Sequence, residues 1–352
     1  MSSLYQNSPP SAGQDTRLQQ LTEWLAATGL VEVESGRPAS ADASFRRYFR
    51  YDVAPAMREK LGATLVAMDA PPERENVPAY LHVQGLLQDA GVTVPAIVAQ
   101  KVESGFLLLS DLGVTTYLQR LDSDNAPFMY SDAVDALLKF QMASKPGVLP
   151  EFDRAFIMRE LSIFPEWYIN RHLGVTLDEK QQATLDKVFE AICSNVLAQQ
   201  QVYMHRDFHS RNLMWLEQGN PGVLDFQDAV YGPVTYDLAS LLRDAYVQWD
   251  EEIVLDWVVR YWQSAKAVGL PVNPDIDAFY RDFEFMAIQR HIKILGIFCR
   301  LNYRDGKAHY MGDLPTVVDY VRKTANRYTE LKPLLRLLDA LEDKAPQVGY
   351  TF

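Results

Sequence analysis

The stretch VYMHRDFHSRNLMW, residues 202–215, concentrates polar side chains between two apolar runs. Its polar members are His205, Arg206, Asp207, His209, Ser210, Arg211 and Asn212. Chains rarely bring so many charged and hydrogen-bonding groups to the edge of a core unless those groups are used. Two kinds of site fit the pattern: a metal centre built on His-x-Asp-x-His, and the catalytic loop of a phosphotransferase.

The length, composition and net charge narrow the class of protein. A chain of 352 residues is too long for one simple core, so two lobes or domains are expected. Hydrophobic residues make up 48% and charged residues 23%, which is typical of a soluble globular protein. The net charge of −12 disfavours nucleic acid and anionic membranes as partners, because both attract basic proteins.

Targeting and redox signals are absent from the sequence. The first residues, MSSLYQNSPPSAGQD, lack the basic and apolar regions of a signal peptide, and no window approaches the roughly 18 apolar residues of a membrane span. Cys193 and Cys299 form no ligand or disulfide pattern and are expected to be buried, reduced thiols. We therefore predict a cytoplasmic protein, whose oligomeric state the sequence does not indicate.

The first third of the chain has the pattern of a small α+β lobe. A polar tail over residues 1–16 is predicted to be disordered, and the lobe is predicted to cover residues 17–113. Its predicted elements are a helix over 17–29, strands over 44–53 and 63–70, a helix over 77–90, and a hairpin formed by PAIVAQ and GFLLLSDL.

Helical periodicity dominates the remainder, so residues 114–352 are predicted to form a larger helical lobe. Helices are predicted over 131–144, 154–173, 178–200, 236–249, 251–267, 275–301 and 316–331. Pro165 should bend or break the second of them, because proline removes a backbone donor. One β interlude, NLMWLEQGNPGVLDF, turns at residues 219–221.

The spacing of three polar residues separates the two kinds of site. Asp207 is followed by Asn212 five residues later and, beyond the predicted hairpin, by Asp225. Phosphoryl transfer to a hydroxyl needs one carboxylate to take the proton, and a carboxylate and an amide to hold Mg²⁺ on the ATP phosphates. Asp207 suits the first role, and Asn212 with Asp225 suits the second, since Mg²⁺ prefers oxygen ligands.

Two alternatives stay open on the residues alone. A metal centre would use His205, Asp207 and His209, which a strand would place on one face, but it leaves Asn212 and Asp225 unexplained. A polar loop without a catalytic role explains neither the five-residue spacing nor the hairpin. A phosphotransferase accounts for all of these features.

A resemblance to a known family rests first on two segments, HRDFHSRNLM and VLDFQDAVYGPVTYDLASLLRD. They resemble the aminoglycoside phosphotransferase and choline kinase branch of the kinase-like fold, with its H-x-D-x-x-x-x-N loop and its metal aspartate. Four further segments are similar to one subgroup, the bacterial anomeric kinases of N-acetylmuramate and N-acetylglucosamine, which serve cell-wall recycling. These segments are DASFRRYFR, VAMDAPPERENVPAY, GFLLLSDLG and RELSIFPEWYINRHLG.

The resemblance implies a two-lobed protein-kinase-like fold that binds ATP and Mg²⁺ in a cleft. It implies that Asp207 accepts the proton of the attacking hydroxyl and that Asn212 and Asp225 ligate the metal. Asp237 is similar to the family aspartate that pins the catalytic loop, and a carboxylate in the first turn of a helix also suits the helix dipole. His205 is expected to be a structural hydrogen-bonding residue.

The implied nucleotide site departs from the kinase pattern. Main-chain groups near Ser110, Asp111 and Leu112 resemble the segment that meets the adenine, with an ordinary strand end as the alternative. The chain has neither G-x-G-x-x-G nor G-x-x-x-x-G-K-[ST], and PASADASFRRYF stands where a glycine-rich loop would cover the phosphates.

The phosphate-binding lysine of the family is also missing. The strand ATLVAMDAP offers Met68 and Asp69 instead. Arg46, Arg47 and Arg50 are candidates to replace it, because guanidinium grips phosphate in a bidentate way. Strand alternation puts Arg46 and Arg50 on one face and Arg47 on the other. A solvated strand residue is the alternative for each.

The acceptor site is predicted around Pro165 and on a later helix. Glu160, Glu166 and Trp167 suit a hydroxyl-rich ring with an apolar face, with core packing as the alternative. Arg290 and His291 are candidates to meet a lactyl carboxylate, with a solvated helix face as the alternative.

The sequence thus predicts an ATP-dependent sugar kinase that phosphorylates the anomeric hydroxyl of a small amino sugar, N-acetylmuramate or N-acetylglucosamine. Its rivals are a kinase of the same family with another acceptor, such as an aminoglycoside, choline or a homoserine-like alcohol, and a nucleotide-binding pseudokinase. The missing strand lysine is the main support for the pseudokinase.

Overall fold

The computed structural model describes residues 15–40 and 45–342. They form two compact units. The small unit contains residues 15–84 and 95–113, and the large unit contains residues 85–94 and 114–342. Most of the predicted disordered tail lies outside the described residues; its last residue, Thr16, begins the first helix, for which Asp15 is the cap.

The small unit is built on a five-stranded antiparallel sheet with strand order β1-β2-β3-β5-β4. The strands are β1 (Arg37–Ser40), β2 (Arg47–Asp52), β3 (Thr64–Asp69), β4 (Ile97–Lys101) and β5 (Phe106–Ser110). The helices of this region are α1 (Thr16–Thr28), α2 (Arg58–Leu61) and α3 (Val77–Asp89), the last of which ends in the large unit.

The core of the small unit lies between α1 and the sheet. Leu21 and Leu25 of α1 are fully buried in one cluster with Leu65, Ala67 and Phe106. These strand residues alternate with outward-facing ones, so β3 presents one apolar face to the helix. The cap of α1 is Asp15, whose carboxylate accepts a hydrogen bond from the Leu18 N–H group.

Strand β1 was not expected from the sequence. Three of its four residues belong to the polar segment PASADASFRRYF, and proline and alanine are poor strand formers. Pairing with β2, which sets Arg37 opposite Arg50, supplies the extended conformation at the edge of the sheet, where proline is tolerated. Residues 41–44 of that segment, where a phosphate-covering loop was predicted, lie outside the described residues.

The large unit is mainly helical, as predicted. Its helices are α4 (Tyr117–Arg120), α5 (Ala126–Met142), α6 (Arg154–Leu161), α7 (Glu179–Ala198), α8 (Tyr236–Leu242), α9 (Glu251–Ala267), α10 (Ile276–Tyr303), α11 (Leu314–Arg327) and α12 (Lys332–Leu341). Two short antiparallel pairs interrupt them: β6 (Gln201–Met204) with β9 (Val230–Pro233), and β7 (Leu213–Met214) with β8 (Gly222–Val223).

Three helix predictions differ from the structure in informative ways. The helix predicted over 154–173 divides into α6 and a π-helical segment, Phe164–His172, with Pro165 in the first turn of that segment. The helix predicted to reach residue 249 ends at Leu242, because Asp244 beyond it bonds to loop residues instead. Helix α12 was missed.

Helix α10 is the centre of the large unit. Sixteen of its 28 residues are buried, among them Phe283 and Ile292. Cys193 and Cys299 are buried free thiols, as predicted. Within the described part of the chain, no helix is both long and apolar enough to cross a bilayer.

Candidate active site

The polar loop His205–Asn212 connects β6 to β7, and Asp225 lies two residues after the end of β8. Because β7 pairs with β8, the end of the loop and the residues after β8 meet at the same end of a short hairpin. Arg206 and Asp225 both adopt left-handed backbone conformations, with φ of 81° and 61°. Such conformations are costly for non-glycine residues and cluster at functional sites.

Asp237 on α8 stabilises the turn at Arg206. Its Oδ2 atom accepts a hydrogen bond from the His205 N–H group at 2.6 Å, and its Oδ1 atom accepts one from the Arg206 N–H group at 2.9 Å. Burial raises the pKa of Asp237 to about 7, against the opposing effect of these two bonds. The side chain therefore replaces the backbone partners that the loop cannot find elsewhere.

His205 connects the loop to the end of β8. Its Nδ1 atom accepts a hydrogen bond from the Asp207 N–H group at 3.2 Å, and its Nε2 atom donates one to the Leu224 carbonyl oxygen at 3.0 Å. Burial lowers the pKa of His205 to about 4, so the ring is neutral at physiological pH. With both ring nitrogens engaged, His205 has no lone pair for a metal, which excludes the metal centre built on His-x-Asp-x-His.

Asp207, Asn212 and Asp225 come together as the spacing suggests. The Nδ2 atom of Asn212 donates to the Asp207 carbonyl oxygen at 3.0 Å and lies 3.5 Å from Oδ2 of Asp225. The Leu224 N–H group donates to the Asn212 carbonyl oxygen, and Gln227 Nε2 donates to Asp225 Oδ1 at 2.8 Å. Both side chains that were assigned to a metal are therefore held side by side.

The donor set fits a hard divalent cation. Among the described residues, no three His, Cys, Asp or Glu side chains cluster into a complete metal cage. A site with one carboxylate and one amide oxygen leaves the remaining positions to phosphate and water, which is how proteins usually hold Mg²⁺. Zinc would require nitrogen or sulfur ligands that this site does not offer.

The charge of Asp207 is set by the residues behind the loop. Burial raises the pKa of Asp207, but the positive charges of Lys293 and Arg290, together with the electrostatic effect of His209, outweigh it and bring the pKa to about 2. The carboxylate is therefore ionised at any physiological pH and able to accept a proton.

A buried ion network supports the loop from α6 and α10. Glu160 accepts hydrogen bonds from Arg206 at 2.8 Å, Lys293 at 2.7 Å and Gln289 at 3.1 Å. Arg290 donates to the Arg206 carbonyl oxygen at 2.7 Å. Two helices distant from the loop in sequence thus hold Arg206, the residue that precedes Asp207.

The far side of the loop is held by Asp244, beyond the end of α8. Its Oδ2 atom accepts hydrogen bonds from the N–H and hydroxyl groups of Ser210, and its Oδ1 atom accepts one from the Tyr246 N–H group. Sequence reasoning missed both Asp244 and Lys293. A lysine inside a long apolar helix, and an aspartate in the run YDLASLLRDA, were the available signals.

The predicted nucleotide residues all lie in the small unit, and their contacts differ. Arg47 pairs with Asp69 and Asp15, and Arg50 pairs with Asp111. Arg46 is nearly buried, with its Nε atom 3.4 Å from Glu75 Oε2. None of the three is the solvated strand residue that was weighed as the alternative.

Residues 110–112 lie at and just beyond the end of β5. The side chains of Ser110 and Asp111 form hydrogen bonds within the small unit. The Ser110 N–H group donates to the Ala96 carbonyl oxygen, and its hydroxyl accepts from the Ala96 N–H group. Asp111 accepts hydrogen bonds from Arg50 and from the Thr64 hydroxyl at 2.6 Å. An adenine contact here therefore stays a prediction for the main chain only.

The predicted acceptor residues are dispersed by the structure. Glu166 is exposed and Trp167 half-buried on the π-helical segment, whereas Glu160 is buried in the ion network. Arg290 and His291 are buried, so the solvated helix face weighed for them is wrong. His291 stacks on Tyr320 with ring centroids 4.7 Å apart and bonds to the Arg243 carbonyl oxygen, which leaves it no surface for a substrate.

The fold and the site together define a class: a two-lobed α+β kinase-like phosphotransferase with an aspartate, asparagine, aspartate constellation. A solved structure of a choline/ethanolamine kinase family protein from Mesorhizobium loti has the same fold, with a TM-score of 0.60 and 13% identity over 93% of this chain and 99% of that chain.

Two curated relatives are far more similar in sequence. The N-acetylmuramate/N-acetylglucosamine kinase of Pseudomonas putida is 46% identical over 338 residues, which cover 93% of this chain and 97% of that protein. The protein of the same name from Neisseria meningitidis serogroup B is 46% identical, covering 89% and 93%. The model of the phosphotransferase enzyme family matches residues 35–271. The chain belongs to this phosphotransferase enzyme family and is an ATP-dependent kinase, which confirms the predicted family and fold.

Proposed function

We propose that this protein transfers the γ-phosphoryl group of ATP to the anomeric hydroxyl of N-acetylmuramate and N-acetylglucosamine, as a cytoplasmic step of peptidoglycan recycling. The observation that carries the proposal is the 46% identity to a curated kinase of these two sugars over nearly the whole chain. The segment RELSIFPEWYINRHLG, which resembles that subgroup, forms α6 and the π-helical segment behind the catalytic loop.

In this proposal Asp207 accepts the proton of the attacking sugar hydroxyl. Its low pKa keeps the carboxylate ionised, and the bonds from Asp237 and Glu160 to its neighbours fix the loop before substrate arrives. Phosphoryl transfer needs positioning and charge neutralisation more than covalent chemistry, so a rigid loop is itself a catalytic contribution. Glu166 and Trp167 are proposed to contact the sugar ring.

Asn212 and Asp225 would hold Mg²⁺. When bound, the ion neutralises charge on the β- and γ-phosphates. The chain's own contribution is to hold the two oxygen ligands in place: Gln227 and the left-handed backbone at Asp225 fix the carboxylate, and the bond from Asn212 to the Asp207 carbonyl fixes the amide.

Arg46 is proposed to replace the missing lysine at the ATP phosphates. Arg47 and Arg50 already neutralise buried carboxylates of the sheet, so their charges are committed. Arg46 is oriented by Glu75, just before α3, much as protein kinases orient their lysine with a glutamate. Main-chain groups of Asp111 and Leu112 remain the proposed adenine contacts.

Another acceptor, such as an aminoglycoside or choline, is the competing proposal within the same family. It would keep the catalytic roles of Asp207, Asn212 and Asp225 and change only the sugar contacts. A pseudokinase is disfavoured because all three catalytic side chains are present, with the Asn212 amide bonded to the Asp207 main-chain carbonyl and close to the Asp225 carboxylate. The missing lysine does not require a pseudokinase, since Arg46, just before β2, is proposed to take the place of that lysine.

The test is ³¹P NMR of the purified protein with Mg-ATP and either N-acetylmuramate or N-acetylglucosamine. We expect a new sugar-phosphate resonance coupled to the anomeric proton. ADP formation without that resonance would leave the fold in place but show that the acceptor or the attacked hydroxyl is wrong. No ATP consumption with any acceptor would favour the pseudokinase.

A further inference from the structure

One face of α10 packs against α6 and the π-helical segment. Gln289, Lys293, Gly296 and Arg300 are spaced by four, three and four residues, so they line a single face of the helix. The first two contact Glu160. At Gly296 the two backbones touch: a Cβ atom there would lie 2.6 Å from the Ile163 carbonyl oxygen. Arg300 is the next residue along this face.

Arg300 is a cation without a matched anion in the described part of the chain. Its Nε atom is shielded from solvent and has no hydrogen-bond partner there, although the residue as a whole is partly exposed. Within residues 15–40 and 45–342, no carboxylate forms an ion pair with it, whereas its neighbour Arg304 bonds to Asp305. A buried donor left unsatisfied is destabilising and calls for an explanation.

The electrostatics around Arg300 agree with this geometry. Burial lowers the pKa of Arg300, Arg304 lowers it further, and Asp305 and Glu166 only partly oppose the effect. The guanidinium thus carries a charge that its surroundings do not neutralise. An incoming carboxylate would supply what is missing, including an acceptor for the Nε hydrogen.

The surroundings of Arg300 have the character of a binding site. The facing π-helical segment has wide turns, with the Leu173 N–H group bonding to the Tyr168 carbonyl oxygen, and such segments occur frequently at functional sites. The same segment carries Trp167, whose half-buried ring offers an apolar surface to a sugar.

The catalytic loop runs along the same part of α10. Lys293 is joined through Glu160 to Arg206 in the loop, and seven residues, about 10 Å of helix, separate Lys293 from Arg300. Beyond α8, Tyr246 contacts both His209 of the loop and Phe298 of α10, with ring centroids 5.5 and 6.1 Å apart, but Phe298 lies on a different face of the helix from Arg300. Arg300 is therefore related to the loop through Lys293, which lies on the same face of α10.

We propose that Arg300 binds the lactyl carboxylate of N-acetylmuramate and thereby distinguishes this sugar from N-acetylglucosamine. The two sugars differ only at the oxygen on C3, which carries a lactyl ether with a carboxylate in the first and a hydrogen in the second. The inference rests on the proposed function and replaces the roles predicted for Arg290 and His291. Guanidinium with Nε and one Nη hydrogen free matches a carboxylate in a bidentate geometry.

The experiment compares kcat and KM for both sugars in the parent protein and in Arg300→Gln, Arg300→Lys and Arg304→Gln. Arg300→Gln should raise KM for N-acetylmuramate about tenfold or more, as loss of a charge-assisted pair implies, and leave N-acetylglucosamine unchanged. Arg300→Lys should give an intermediate KM for N-acetylmuramate, because lysine keeps the positive charge but lacks the two parallel N–H donors of guanidinium. Arg304→Gln, which changes a residue four positions after Arg300 that pairs with Asp305, should change the kinetics with neither sugar.

Equal effects of Arg300→Gln on both sugars, or no effect on either, would overturn the inference while leaving the proposed function standing. Failure of the parent to phosphorylate either sugar would overturn the proposed function itself. Thermal unfolding gives an independent readout: Arg300→Gln should not lower Tm, and N-acetylmuramate should raise Tm of the parent more than that of the variant. A marked drop in Tm would assign Arg300 a structural role instead.

Discussion

The catalytic loop His205–Asn212 and the arginine segment of the small unit, residues 46–50, both carry many charged side chains, but these side chains bond to different kinds of partner. In the loop, the surrounding residues bond to main-chain atoms on either side of Asp207, and its carboxylate stays ionised. On β2, the guanidinium groups of Arg47 and Arg50 bond to the carboxylates of Asp69 and Asp111. One region is organised to present a charge, and the other mostly to cancel it.

The difference shows what short-range spacing can and cannot predict. Asp207, Asn212 and Asp225 are joined by a tight loop and a short hairpin, so their sequence spacing nearly dictates their meeting. Arg47 and Arg50 form ion pairs with carboxylates as distant in sequence as Asp15 and Asp111. No local sequence pattern indicates these partners. Charge that is neutralised at long range looks the same in the sequence as charge that is free to act.

The largest effect should come from Asp207→Asn. Removing the proton acceptor is expected to lower kcat by about 10²–10⁴, because general-base catalysis contributes that much. ATP binding, followed by the change in Tm with added nucleotide, should persist. Turnover within a few-fold of the parent would remove Asp207 from the mechanism and with it the contrast between the two regions.

Glu160→Gln tests whether the loop depends on its buried support. The change leaves Arg206 and Lys293 without their shared anion, and breaking a buried ion pair costs about 3–5 kcal/mol of unfolding free energy. Urea denaturation measures it. The matched control is Glu190→Gln, which breaks an exposed pair with Arg154 and should leave the urea midpoint unchanged. Equal midpoints for the two variants would contradict the proposed support.

A pair of variants distinguishes the proposed roles of Arg46 and Arg47. Arg46→Gln should raise KM for ATP about tenfold or more without loss of stability on the same scale, since it removes a charge from the phosphates. Arg47→Gln should lower stability and leave KM for ATP unchanged, because Asp69 is fully buried and loses one of its cations. The reverse result would show that Arg47, not Arg46, serves the nucleotide.

A smaller effect is expected on the pH profile of Lys293→Met. The charge of Lys293 helps to hold the pKa of Asp207 at about 2, so its removal lets burial raise that pKa. Because a protonated Asp207 cannot act as a base, the acid limb of kcat/KM should move to higher pH. The control is Lys323→Met, whose lysine forms an exposed pair with Asp319. A profile that falls uniformly at all pH values would indicate structural damage instead.

Much of the fold could be predicted from the sequence, and the predictions that were wrong failed for physical reasons. Helix α9 was predicted with its observed ends because its apolar spacing is regular and its flanks are polar. Strand β1 was missed because only pairing with β2 makes Pro38 and Ala39 a strand. The helix after Thr235 was predicted too long because Asp244 and Tyr246 leave helical geometry to bond the catalytic loop.

The predicted acceptor site shows most clearly that a local sequence pattern does not reveal which side chains are buried and paired. Arg290, His291 and Arg300 are equally plausible cations in the sequence of one helix, but the first two are buried and bonded. Burial and partners depend on which face of α10 meets α6, α8 and α11. That face is set by packing between separate helices, of which α6 ends more than a hundred residues before α10 begins, and no local pattern contains it.

The sequence by itself determined the chemistry of this protein: the loop that carries Asp207 and Asn212, the hairpin that returns Asp225 to it, and the family that shares them. Only the tertiary structure decided which charges are available. It buried Glu160 between two cations and paired Arg47 and Arg50 with carboxylates, whereas among the described residues no carboxylate pairs with Arg300. The physical reason is that bonding within a loop depends on neighbours in the chain, whereas desolvation and ion pairing depend on neighbours in space.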